Sequence, residues 1–498
     1  MKSLRKTMAE GSTYGRFMIL VGVLVLAPLA VIPFFPEEAD YVSAFLMPGG
    51  ISAVLGAAVM LLKKNPETRH MEWQSSLQRG SLPVMFAWLY GIFLGSLPFV
   101  ISGLLPFRLA VFESTSGWTT TGMTVVDVDA MPHVILFHRS FMQYSGGLGF
   151  IAVMVMVVHG KQSAHMFSAE GHIDKLAPNL RASALTILRI YAILLAFGTI
   201  LYFLFGMEFF DALCHAMSAL STAGFSTRSG SIGAYDSIPI DIVTIVLMLA
   251  GSTNFVILYF ISKRRFKRAF KVSEIRFMGG LIAVFFPLIT LSLIFQGGVG
   301  IGKAILDGLF GVISVVTTTA YSTSDFWAWP PFCFALLVLL MLVGGGIGST
   351  AGGIKLVRVY LMLRAARLNI RRRLSPARDI SLPQYERPQG RSQITAELIG
   401  ETFGFVTVYF GIMVIGTLIL TLSESVQVFD AMFEFTSAFA TVGLTNGITR
   451  PDMSTVTLIT QIVGMILGRL EIFIFFVAIY ECFRKARRFI EDRQRAAN

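Results

Sequence analysis

The sequence predicts an all-α polytopic membrane protein, and three observations predict it. Apolar runs of membrane-spanning length recur along the 498 residues, basic residues gather in alternate connections, and one short polar motif returns four times. Hydrophobic residues make up 54% of the chain and charged ones only 14%, a balance suited to lipid rather than water.

A run of about 20 apolar residues crosses a bilayer, and such runs fall near 16–35, 41–62, 82–104, 134–158, 182–206, 237–262, 275–298, 331–365, 396–422 and 454–482. An even number of crossings puts both termini on one side. The net charge of +11 would suit nucleic acid, but its distribution points to topology. Most Lys and Arg lie in the N-terminal segment, the C-terminal tail and the connections 63–80, 159–181, 263–276 and 355–391, which the positive-inside rule makes cytoplasmic. The opposite connections keep only Arg108, Arg139, Arg228, Lys303 and Arg450, beside Glu37, Glu38 and Asp40. Residues 1–35 have the basic start and apolar middle of a signal peptide, yet cleavage would break the even count that the charges require. Cys214, Cys333 and Cys482 are scattered, with no disulfide, zinc or redox spacing.

The repeated motif appears as TTTGMT at 119–124, STAGFST at 221–227, TTTAY at 317–321 and ATVGLTN at 440–446. With Gly122, Gly224, Ala320 and Gly443 as reference positions, the copies match at offsets not used to align them. Two residues earlier lie Thr120, Thr222, Thr318 and Thr441, and six earlier lie Ser116, Ser218, Ser314 and Ser437. Thirteen earlier, Asp211, Asp307 and Asp430 answer Leu109, and nine earlier Glu113 and Glu434 correspond.

These offsets predict a short helix of about three turns in each copy, opened by the Asp as N-cap and closed at the Thr-x-Gly segment. Too short to span, it must dip into the membrane and return as irregular backbone, which survives there only inside protein or along a wet path. The predicted fold is therefore four pseudo-symmetric helix–pore-helix–helix repeats around one pore plus two N-terminal transmembrane helices, ten spans and four re-entrant pore loops in all. Its units are 1–64, the N-terminal two-helix domain; 81–165, 182–265, 275–370 and 394–485, the pore repeats; and 486–498, a cytoplasmic tail. Carbonyl oxygens of four extended segments around an axis can replace the hydration shell of a monovalent cation, with helix C-termini adding negative partial charge. The competing explanation is close helix packing by small residues, which four copies at matched offsets disfavour.

Four such units with a single Gly-type filter residue each, two extra N-terminal helices and the run GGGIGSTAGG at 344–353 resemble the Trk/Ktr/HKT superfamily of potassium transporters, closest to its bacterial TrkH branch. The resemblance implies potassium uptake at a bacterial inner membrane, a homodimer with a pore in each chain, and a TrkA-like cytosolic nucleotide-binding regulatory subunit. Potassium would be substrate, nucleotide would act only through the partner, and no covalent cofactor or other metal is implied. Its potassium-coordinating segments match Thr120, Thr121 and Gly122; Thr222, Ala223 and Gly224; Thr318, Thr319 and Ala320; and Thr441, Val442 and Gly443. Ala320 departs from the usual glycine. It either tolerates a strained backbone angle or marks a filter that is not fourfold.

The run at 344–353 places Gly344, Gly345, Gly346, Gly348, Gly352 and Gly353 around Ser349 and Thr350 in the third inner helix, where each glycine costs a continuous helix about 1 kcal/mol. A break is expected there. The run begins 24 residues after Ala320, and Arg469 lies 26 residues after Gly443, so the two should meet below the filter. An arginine at that depth costs at least about 2.5 kcal/mol unless it faces water or a partner. The resemblance places an intramembrane gating loop and an inner-helix arginine there. The loop is expected to block the exit, with Arg469 anchoring it, forming a positive barrier or pairing with an acid of another helix; Glu471 is a poor intrahelical partner.

Glu113 and Glu434 are expected either to brace the filter or to cap local amides, His215 to pack in the same place, and Arg189 to snorkel. His159, His165 and His172 match no metal template. The stretches KRRFKRAFK at 263–271 and RRR at 371–373 suit a regulator, anionic lipid or topology alone. A sodium or weakly selective cation pathway is the alternative within transport. A membrane-embedded enzyme would need a His/Asp or Ser/His constellation that the spans lack, and no Gly-rich Lys-Ser/Thr nucleotide motif is present.

Overall fold

The computed structural model describes residues 12–62, 76–148, 180–374 and 383–497. Two apolar helices open the chain, α1 (Thr13–Leu26), followed by a 3-10 stretch, and α2 (Val42–Leu62). Glycines let them touch. A Cβ on Gly15 would lie 2.6 Å from the Gly56 carbonyl oxygen, and one on Gly22 2.7 Å from that of Gly49, the close approach small residues give packed membrane helices.

A pattern of long helix, short helix, non-helical segment and further helix then recurs four times. The first unit comprises α3 (Ser76–Ile101), α4 (Phe107–Trp118) and α5 (His133–Gly147), and the second α6 (Leu180–Leu204), α7 (Phe209–Leu220), α8 (Ile238–Ser252) and α9 (Phe255–Ser262). The third has α10 (Ser273–Phe295), α11 (Ile301–Val316), α12 (Pro331–Met341) and α13 (Leu356–Leu374). A hairpin of β1 (Gln384–Arg387) and β2 (Gly390–Gln393) precedes the fourth unit, α14 (Ala396–Glu424), α15 (Val428–Phe439), α16 (Thr455–Arg469) and α17 (Phe473–Ala497). The hairpin pairs Tyr385 with Ser392 and packs Tyr385 against Val357 and Leu361 of α13. An all-α reading omits it.

Among the described residues six helices are long and apolar enough to cross a membrane, or up to eight when bent pairs count as one span. The break expected at 344–353 is present, but two further inner helices also break. α8 turns into α9 through 117°, and α16 into α17 through 102°. Apolar residues flank both breaks, so Ser-Thr-Asn and Leu-Glu-Ile read as short polar interruptions of a continuing span, although Asn254 caps α9.

Three other expectations are corrected. The motif aspartates are not N-caps: Glu208, Gly300 and Gln427 occupy those positions, and Asp211, Asp307 and Asp430 lie inside their helices. Arg139 belongs to no connection, being buried within α5. Residues 371–373 continue α13 rather than starting a loop. Arg189 is exposed on α6. The histidines at 159, 165 and 172, the end of the 134–158 run and most of the connections 63–80 and 159–181 lie outside the described residues.

Candidate functional site

Each short helix ends the same way. The amide of Thr120 donates to the Gly117 carbonyl at 3.1 Å and that of Thr121 to Ser116 at 2.9 Å. The same pair of bonds runs from Thr222 to Ala219 and Ala223 to Ser218, from Thr318 to Val315 and Thr319 to Ser314, and from Thr441 to Ala438 and Val442 to Ser437. This is the Schellman closure, whose left-handed residue is usually glycine. Here it is threonine, at φ between 50° and 57° in all four copies, a β-branched residue where such residues are outliers. The conserved spacing of Ser and Thr thus marks the two ends of one helix cap.

Two residues on, Gly122, Gly224, Ala320 and Gly443 return to positive φ at 91°, 78°, 61° and 105°. The segments touch in sequence around a ring. A Cβ on Gly122 would overlap the Ala223 carbonyl oxygen, one on Gly224 that of Thr319, and one on Gly443 that of Thr121. The indole of Trp327 joins the third and fourth segments by donating to the Thr445 carbonyl at 3.1 Å. Above the ring a cavity of about 410 Å³ has the four reference residues as its floor and Asp127, Arg228 and Asp325 on its walls. The reference residues are half-buried, whereas the two residues before each of them are fully buried. Accessibility from the cavity ends at the reference residues.

Side chains from the short helices brace the returning strands. Glu113 accepts from the Thr124 hydroxyl at 3.0 Å and the Val125 amide at 3.1 Å, and Glu434 from Thr445 at 2.8 Å and the Asn446 amide at 2.7 Å. His215 does the same in the second copy: its Nδ1 donates to the Asp211 carbonyl at 2.8 Å, so its Nε2 accepts from the Ser226 hydroxyl at 3.0 Å. It is a brace and not mere packing. In the third copy Gly311 leaves room for Trp329, whose ring edge lies 2.6 Å from where a Cβ would stand. A second tier uses the aspartates. Asp211 accepts from Thr227 and Asp307 from Thr323, both at 2.7 Å, and the Asp430 carbonyl accepts from Asn446 at 2.8 Å. In the first copy Leu109 and Val125 replace this polar pair in one apolar cluster. Asp211 also holds Arg228, raising its pKa through their hydrogen bond and charge.

Arg139 ties the first two copies together. It donates from Nε to Glu113 at 2.7 Å, from Nη2 to Thr124 at 2.9 Å and from Nη1 to the Ser226 carbonyl at 3.3 Å, and stacks 4.0 Å over Phe225. Both members of the ion pair are essentially inaccessible. Arg139→Leu, which strands the carboxylate, is expected to cost about 3–5 kcal/mol, read as a lowered unfolding temperature in detergent. Glu113→Leu added to it should recover part of the loss. An equal or greater loss in the double variant contradicts the pairing.

Beneath the ring lies the glycine run. Its base is pinched by bonds from Gly344 to Ile354 at 2.9 Å and from Ile354 to Leu342 at 3.1 Å. Its tip reaches three of the four ring threonines. Thr350 and Thr222 share a hydroxyl hydrogen bond of 2.9 Å, the Gly352 amide donates to Thr318 at 3.0 Å, and Gly352 lies so close to Thr441 that a Cβ would overlap its hydroxyl. Arg469 completes the set, donating to Thr120 at 3.0 Å, to the Gly146 carbonyl at 2.6 Å and to the Thr350 carbonyl. Glu471, left-handed at φ 53° at the α16–α17 break, pairs with Arg358 at 2.8 Å. Ser349 stays within the loop, bonding Gly346 at 2.7 Å.

The structure thus brings together all twelve ring residues, the loop and Arg469. Sequence reading passed over Gly146, Gly251 and Gly468, where a Cβ would overlap the carbonyls of Trp118, Leu220 and Phe439 at the ends of three short helices. Their similar spacing after each reference residue was the available signal.

The family model for TrkH, a cation transport protein, matches residues 52–301 and 283–483. Among curated relatives, the Trk system potassium uptake protein TrkH of Vibrio parahaemolyticus is 30% identical, covering 94% of this chain and 97% of that protein. That of Halomonas elongata is 28% identical, covering 92% and 95%. The crystal structure of the potassium transporter TrkH from Vibrio parahaemolyticus aligns with a TM-score of 0.79 at 28% identity, covering 93% of this chain and 96% of that one.

Proposed function

The chain belongs to the TrkH family of cation transport proteins, which are transporters and not enzymes, and from that premise we propose that it carries potassium into a bacterial cell across the inner membrane. One observation carries this reading: four segments with left-handed residues two apart stand in a ring that lines a cavity on one side and is closed on the other by a loop whose tip, Thr350 and Ala351, is fully buried. Alternating the sign of φ along a strand swings successive carbonyls to one side, the arrangement that replaces a cation's water shell. An interior-negative potential supplies about 2.3 kcal/mol per charge per 100 mV, sufficient to draw the ion inward.

In this reading the chain crosses the membrane ten times, the interrupted helix around 344–353 and the run 134–158 completing the count, with both termini cytoplasmic. The four short helices and their returning strands are re-entrant pore loops in the units 81–165, 182–265, 275–370 and 394–485, beside the two-helix unit 1–64. The loop 344–353 is the gate, held shut by Thr350, Gly352 and Arg469 against the threonine ring. Arg469 acts as anchor, since it donates to the loop, the ring and the first inner helix. The functional unit is a homodimer with a TrkA-like cytosolic regulator, through which nucleotide acts. A weakly selective monovalent pathway is the second reading, favoured by Ala320, whose φ of 61° differs from the 78° to 105° of the glycines.

The test is uptake into liposomes containing the purified protein under an inside-negative potential. Rubidium should accumulate well above empty vesicles and sodium should not. Equal uptake of both ions would favour the second reading, and neither ion entering, even with the loop deleted, would end both.

A further inference from the structure

We propose that Gln143, on α5 of the first unit, is a positioning residue that sets cation specificity by holding a backbone carbonyl of the second unit's ring segment. The inference rests on the transport reading above and deepens it. Gln143 is fully buried. Its Nε2 donates to the Ala223 carbonyl at 2.8 Å, and its Oε1 accepts from the Ser218 hydroxyl at 2.7 Å and the Phe225 amide at 3.2 Å. The Phe225 amide can only donate, so the amide group has one possible orientation, with its nitrogen toward Ala223. One side chain therefore spans the short helix and the residues on either side of Gly224.

The arrangement is not repeated. Among the described residues, no side chain donates to the carbonyls of Thr121, Thr319 or Val442, the matching atoms of the other units. Gln461, the inner-helix glutamine of the fourth unit, instead serves Thr449 and Glu434. The second unit is further fixed by Tyr321, whose hydroxyl donates to the Phe225 carbonyl at 2.9 Å. One carbonyl of the ring is thus held by a side chain, a bond that its three counterparts lack among the described residues. This matters for ion choice. Discrimination between potassium and sodium depends on how far coordinating carbonyls can close and on the field they present. A carbonyl already accepting a hydrogen bond is restrained from closing on a smaller ion, and part of its charge is engaged. The adjacent Gly122 has no Cβ to stop such closure. Gln143 is the stop.

The experiment compares rubidium and sodium uptake into liposomes by the parent, Gln143→Glu and Gln143→Leu. Glutamate keeps the shape and both acceptor bonds but presents no donor to Ala223, and leucine removes all three bonds. The rubidium-to-sodium ratio is expected to fall about fivefold, the scale of one neutral hydrogen bond, while rubidium uptake persists. A merely structural role would lower both ions together and leave the ratio alone. An unchanged ratio in monodisperse, active variants overturns the proposal. Should neither variant fold, Ser218→Ala removes one anchor of Gln143, and its ratio should drop about twofold; a parental ratio there overturns it as well. A parent that does not favour rubidium overturns the transport reading beneath, an outcome separate from any comparison among variants.

Discussion

Rubidium uptake is expected to vanish when Gly443 is replaced by serine and to persist when Ala320 is replaced by glycine. Two independent effects act at Gly443. Its φ of 105° lies beyond the left-handed well that a side chain tolerates, and any Cβ would overlap the Thr121 carbonyl oxygen of the neighbouring segment. The serine must therefore move one strand or the other, and both belong to the ring. Ala320, at 61°, sits inside the left-handed well, where its Cβ costs about 1 kcal/mol. Glycine relieves that strain but adds freedom to the unfolded chain, so stability should change by less than about 1 kcal/mol. The third copy thus keeps a Cβ where the backbone angle is least demanding. Parental uptake by Gly443→Ser would show that the ring is not the path.

Deleting residues 345–352 is expected to raise rubidium uptake about tenfold or more when no regulator is present. The deletion removes the hydrogen bonds to Thr222 and Thr318 and the carbonyl that Arg469 holds. Each such bond contributes about 1 kcal/mol, and about 1.4 kcal/mol is tenfold in an equilibrium. Thr350→Val is the milder form. It keeps the shape while losing the hydroxyl's bonds to Thr222 and to the Gly251 carbonyl, each 2.9 Å, and should raise uptake by a smaller factor. Uptake that stays at the parental level in both variants would mean that the loop is structural and the closure lies elsewhere.

Much of this architecture was legible because repeats expose geometry that single motifs hide. Ser and Thr at fixed offsets from Gly122, Gly224, Ala320 and Gly443 signalled one recurring turn, and the turn is the helix cap that their backbones form. The meeting of Arg469 with the glycine loop followed from equal depth along two inner helices. Bonds that cross the turn were harder to see. Glu113 and Glu434 were conspicuous, but their partners Thr124 and Thr445 lie eleven residues away across left-handed backbone, and no helical or strand periodicity encodes that spacing. His215 stands at the glutamate's position, but its bond to Ser226, eleven residues on, was hidden for the same reason. The aspartates were misplaced because Asp favours N-caps in general, whereas Asp211 and Asp307 serve threonines on the returning strand. The breaks after Ser252 and Arg469 carry no proline; the first is marked only by Asn254, which caps the following helix by accepting from the Val256 amide at 2.8 Å.

The most direct measurement is an anomalous-scattering map of the protein crystallised in rubidium. A rubidium peak should lie on the axis of the ring, within coordination distance of backbone oxygens from the segments ending at Gly122, Gly224, Ala320 and Gly443. A well-ordered ring with no peak there, and rubidium bound at some other place in the protein, would contradict the account.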